Sequence, residues 1–161
     1  MKRIIFALAL CLITINVFAQ DTKAGNVTFI AVSDDMNITQ KKDGAESDLY
    51  YVVDGDESMG QIILTFDIPR TLTKAKEMYL IVNIPDKEWA ESPDGFEIGA
   101  GNNTVGMIKS VARNSWAEIR LNINLLPADG RIELLLKTTK TDGLYICSKK
   151  SGLGAYLKMI Y

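Results

Sequence analysis

Beyond residue 26 the apolar residues of this chain recur at every second position far more often than at helical spacing, which sends successive side chains to opposite faces of pleated strands. Met78, Leu80, Val82 and Ile84 alternate with Glu77, Tyr79, Ile81 and Asn83. Ala117, Ile119, Leu121 and Ile123 alternate with Glu118, Arg120 and Asn122, and Ile132, Leu134 and Leu136 with Arg131, Glu133 and Lys137. Strands of this kind have one dry face and one wet face. Shorter candidates lie at 27–32, 49–53, 61–66, 96–98, 105–111, 144–148 and 156–161. Between them fall Asp43-Gly44, Asp54-Gly55, Pro93-Asp94-Gly95, Pro127 to Gly130, Asp142-Gly143 and Gly152 to Gly154, residues that favour tight turns. Roughly ten short strands with no sustained helical segment predict an antiparallel sandwich or barrel. Helical turns are expected only within 72–77 and 124–129. No repeat or shift of composition marks a second domain.

The first residues read differently. Lys2 and Arg3 precede an apolar run over 4–15, and Val17-Phe18-Ala19 places small residues where a signal peptidase cuts. Residues 1–19 are therefore expected to be a cleaved secretory signal, with residues 20–161 forming one exported domain, extracellular or periplasmic. The run is too short to span a bilayer comfortably, and no second long apolar stretch follows, so no membrane span is expected. Cleavage removes two of the 18 basic residues against 20 acidic ones and leaves a mildly acidic protein. It also removes Cys11, so Cys147 has no partner for an intramolecular disulfide and is expected as a buried strand thiol. Stability then rests on a hydrophobic core, which about 140 residues suffice to build.

Composition narrows the chemistry. The chain has no histidine, which removes Ser-His-Asp and Cys-His nucleophile systems and every His-ligated metal site. No basic block exceeds two residues, so binding to nucleic acid is not expected. A glycosidase needs two carboxylates facing each other across a groove, and nothing in the sequence nominates a pair. The expectation is a protein that is not an enzyme.

Several stretches together resemble one known family. Gly60-Gln-Ile-Ile-Leu-Thr-Phe-Asp-Ile-Pro69, then Ala75-Lys-Glu-Met-Tyr-Leu-Ile-Val82, is similar to the core strands of DNRLRE-type domains, grouped with family-96 carbohydrate-binding modules. Trp116-Ala-Glu-Ile-Arg-Leu-Asn-Ile-Asn124 resembles that family's tryptophan-led strand, and Ile132-Glu-Leu-Leu-Leu-Lys137 the apolar strand after it. Tyr145-Ile-Cys-Ser-Lys-Lys150 and Ala155-Tyr-Leu-Lys-Met-Ile-Tyr161 resemble its closing hairpin, and Ala31-Val-Ser-Asp-Asp-Met-Asn-Ile38 its opening strand. The chain departs from the pattern at Lys150, where the family has Glu, at Asn122, near its usual Asp, and in a shorter loop between Trp89 and Val105. The resemblance implies an all-β antiparallel sandwich of jelly-roll type, exported and non-catalytic, in a family with members that bind acidic polysaccharides such as alginate.

A uronate polymer needs cations for its carboxylates and flat apolar surface for its rings. One candidate group is Tyr145, Lys149, Lys150 and Lys158, read either as a binding edge or as lysines that keep a sheet edge from pairing with other chains. A second is Arg113, Trp116 and Arg120, where Arg120 shares Trp116's parity; the alternative is an aromatic covering a sheet edge beside two surface arginines. Trp89, in a polar loop, either caps the sandwich or stacks on a ligand, with capping the expectation. No cofactor is expected. Asp34-Asp35 and Asp54-Gly-Asp-Glu57 are acidic enough to interest Ca²⁺, but neither has the helix–loop–helix calcium spacing. The expected function is a carbohydrate-binding module for a polysaccharide, with uronate-containing polymers in view. The other reading is a structural or adhesive module of the cell envelope or matrix, with protein partners.

Overall fold

The predicted alternation is realised as pleat. The computed structural model describes residues 26–38, 49–55, 60–69, 75–127, 130–141 and 143–161. The expected signal at 1–19 and the acidic residues 56–57 lie outside them. The strands among the described residues are β1 (Val27–Ala31), β2 (Asp34–Asn37), β3 (Tyr50–Val53), β4 (Ile62–Ile68), β5 (Glu77–Ile84), β6 (Phe96–Ala100), β7 (Asn103–Ile108), β8 (Ser115–Leu121), β9 (Gly130–Lys137), β10 (Leu144–Cys147) and β11 (Tyr156–Ile160). They pair antiparallel in a four-stranded sheet, β1-β11-β5-β8, a five-stranded sheet, β2-β4-β9-β6-β7, and the pair β3-β10.

The dry faces meet. Leu80, Val82 and Ile84 of β5, Ile119 of β8 and Leu157 of β11 join Leu64 and Phe66 of β4, Leu134 and Leu136 of β9 and Ile98 of β6 in one buried cluster. This is the interior of an antiparallel β-sandwich, and burial of its apolar surface is the main force holding the two large sheets together. Asn83 breaks the parity of β5: it is on the outward side yet buried. The reason is β10, whose Cys147 Sγ donates to Asn83 Oδ1 at 3.0 Å. Cys147 is the buried thiol expected, and burial raises its pKa above the usual thiol value, more than its hydrogen bond with Ser151 lowers it.

β2 has no alternation to reveal it. Asp34-Asp-Met-Asn37 pairs with β4 at an edge of the five-stranded sheet, where charged residues discourage further pairing. The expected helical turn at 124–129 is found as a short 3-10 turn at Ile123–Leu125, with the Asn122 side chain accepting from the Asn124 N–H at 3.2 Å. The one expected at 72–77 is not found in its described part, because Glu77 opens β5 opposite Ile160.

Gly95 begins the β6–β7 hairpin with φ +62°, and a Cβ there would sit 2.0 Å from the Ile108 carbonyl oxygen. Gly95→Ala is therefore expected to cost about 3 kcal/mol, since both the backbone conformation and the close approach exclude a side chain. Gly101 has φ +55° with open space around it, so Gly101→Ala is expected to cost only about 1 kcal/mol. Guanidinium unfolding midpoints of the two variants separate the steric cost from the conformational one.

Candidate functional site

The wet face of the four-stranded sheet is less wet than the alternation implies. Register across it sets Ala31, Tyr156, Ile81 and Glu118 side by side, with Phe29, Lys158, Tyr79 and Arg120 in the next row. Trp116 stands one step further along β8, opposite Asn83. Phe29, Tyr156, Ile81 and Trp116 together line an open depression that runs diagonally from the β1 edge to the β8 edge. Phe29 is 61% exposed and Trp116 48%, unusual for rings that large. The Trp116 and Tyr156 rings lie 5.9 Å apart with a 43° tilt.

Ion pairs run alongside. Lys158 Nζ is 2.9 Å from Glu118 Oε1 and sits 5.1 Å from the centre of the Tyr79 ring. Arg120 Nη2 is 3.2 Å from Glu77 Oε1, and the Tyr79 hydroxyl donates to Glu77 Oε2 at 2.5 Å. That hydrogen bond, ahead of desolvation, raises the Tyr79 pKa above the usual phenol value, so Tyr79 stays a donor. The two cations and two carboxylates compensate each other. Chemically the face offers flat apolar surface beside donors and acceptors, with no bare charge among these four groups.

Of the residues singled out from sequence, Trp116, Arg120 and Lys158 come together here. Arg113 lies on the turn entering β8, with its Nε 3.5 Å from Asp86 Oδ1. Tyr145, on β10, lies under Lys87, whose Nζ is 3.9 Å from the ring centre. Lys149 and Lys150 are in the 3-10 turn Lys149–Ser151. Lys149 acts as a strap: its N–H donates to the Asp35 carboxylate and its Nζ to the Ser33 carbonyl at 2.5 Å. It also borders a pocket of about 150 Å³ with Ala31, Gly154 and Tyr156, at one end of the aromatic face. Phe29, Tyr156, Ile81 and Tyr79 were not foreseen. Tyr156 shares the parity of Lys158 and could have been found that way, whereas Phe29 joins the face only through the β1–β11 pairing.

Trp89 does not cap the core. It is 69% exposed, and its neighbour Ala90 is the buried residue. Asp35 is engaged by the Tyr51 hydroxyl at 3.1 Å and by the Lys149 N–H, and no group of three His, Cys, Asp or Glu comes together among the described residues. No helix among them is long and apolar enough to cross a membrane. A cavity of about 360 Å³ at the end of the sandwich is lined by Ile68, Met78, Ile132 and other apolar side chains with Asn124.

Fold and face together define an antiparallel β-sandwich that presents an aromatic, charge-compensated outer sheet. Comparison with known protein families and with curated proteins finds no match.

Proposed function

We propose that this protein is a non-catalytic, exported carbohydrate-binding module that holds a polysaccharide on the outer face of the β1-β11-β5-β8 sheet. The observation that carries this reading is the diagonal of exposed Phe29, half-buried Tyr156 and exposed Trp116 across that sheet. An aromatic ring offers its negative face to the C–H groups of a sugar ring, while Lys158, Glu118, Tyr79 and Arg120 beside it suit hydroxyls. The jelly-roll reading belongs to the same proposal and rests on sheet order. With β2, β3 and β10 set aside, the eight strands left run 1-8-3-6 in one sheet and 2-7-4-5 in the other, as two interlocked Greek keys do.

Uronate polymers fit this face less well than neutral ones. Lys158 and Arg120 each already have a carboxylate, and an acidic sugar must displace it to be paired. The expected result on a polysaccharide array is retention of a neutral polymer that persists at high salt and in chelator. Salt-sensitive retention on β-1,4-mannuronan alone overturns the neutral preference and returns weight to the lysines. No retention on any polymer favours the structural or adhesive reading, for which β1 speaks: among the described residues it is an edge strand, and it carries exposed Val27 and Phe29.

A further inference from the structure

Trp89 combines two features that packing does not account for. Its indole is 69% exposed, and its backbone sits at φ +67°, a conformation that bulky residues rarely adopt. The loop around it is nevertheless pinned. Ala90 is fully buried and its N–H donates to the Lys87 carbonyl at 3.1 Å, Ser92 pairs with Val111, and Lys87 rests on the Tyr145 ring. The core holds both flanks of Trp89 and leaves the ring outside.

The loop is also fixed in place against the sheet. It leaves β5 just after Asn83, the register partner of Trp116. The Asn114 N–H donates to the Pro85 carbonyl at 3.2 Å, and Arg113 pairs with Asp86, so the loop is tied to the turn that enters β8. The loop that carries Trp89 is thus anchored at the Trp116 end of the aromatic diagonal. From Phe29 to Trp116 that diagonal crosses three inter-strand gaps, roughly 14 Å, and climbs four residues along the strands, roughly 13 Å, so it runs roughly 19 Å, about the length of a tetrasaccharide. A longer chain overhangs one end of it.

We infer that Trp89 is a further stacking position for the same polysaccharide, engaging sugar rings that extend past Trp116. The inference rests on the carbohydrate-binding reading and deepens it: the ligand is an extended polymer rather than a mono- or disaccharide, and binding rises with chain length. Exposed Glu88 and Glu91 on either side of the loop supply acceptors for hydroxyls.

The test is calorimetric titration of residues 20–161 with tetra- and hexasaccharides of β-1,4-glucan, β-1,4-mannan and β-1,4-mannuronan. Wild-type protein is expected to bind the hexasaccharide of its preferred polymer about tenfold more tightly than the tetrasaccharide. Trp89→Ala is expected to remove that gain, and Trp116→Ala to weaken both ligands. Trp89→Gly is expected to remove the gain as well while raising the melting temperature by about 3 °C, because glycine relieves the backbone strain. A Trp89→Ala protein that keeps the full gain overturns the inference and leaves the carbohydrate reading standing. Wild-type protein that binds none of the six ligands overturns both.

Discussion

Phe66→Ala is expected to remove about 4 kcal/mol of folding stability. Phe66 lies at the middle of β4, opposite Ile132 of β9, and is fully buried. Truncation deletes most of an aromatic side chain between two sheets whose separation is set by many other contacts, so the space cannot close. The cost is the lost transfer free energy plus that of the cavity left behind. The one cysteine among the described residues is free, so no disulfide there limits the unfolded chain and the core carries the stability. Since domains are stable by only about 5–15 kcal/mol, the variant is expected to keep a small margin. Guanidinium unfolding checks this through a lowered midpoint at unchanged slope. Phe66→Leu, which fills most of the space, is expected to lose about 1 kcal/mol. If Phe66→Ala loses no more than Phe66→Leu, the two sheets are not closely packed at this point.

Trp116→Ala is expected to act on binding and hardly on folding. The side chain is half exposed, and its nearest ring partner is Tyr156, so its removal is expected to change stability by no more than about 1 kcal/mol. In the proposed complex it is the largest flat surface of the sheet face and a central anchor. Its loss is expected to weaken polysaccharide binding by about 2 kcal/mol, roughly thirtyfold. Phe29→Ala, at the far edge of the diagonal, is expected to cost roughly fivefold. Titration with the retained polysaccharide, beside a thermal melt of each variant, separates the two effects. Wild-type affinity in a well-folded Trp116→Ala protein removes the sheet face from consideration and leaves the fold untouched.

Much of the molecule was legible because a strand exposes one face to solvent and hides the other. Parity alone sorted Leu80, Val82 and Ile119 into the core and Tyr79, Glu118 and Arg120 onto the surface, and the structure agrees. Parity failed where a third element intervened. Asn83 looks like a surface residue until β10 brings Cys147 against it. Lys149 looks like a free cation until β2, a strand with no apolar rhythm, brings Ser33 and Asp35 beneath it. Trp89 looks like a plug for the core, and it is Ala90 that turns inward instead.

The candidate site was half legible for the same reason. Trp116, Arg120 and Lys158 carry outward parity on their own strands, so each could be chosen from sequence. That Phe29, Tyr156 and Trp116 form one diagonal could not, since they come from the first strand, the last and the eighth. By itself, the sequence determined which residues alternate, where the chain turns and that a core of aliphatic side chains closes the sandwich, because these follow from local geometry and hydrophobicity. Only the tertiary structure decided which strands lie side by side, because hydrogen bonding between strands ignores their distance along the chain, and neighbours in the sheet make the surface.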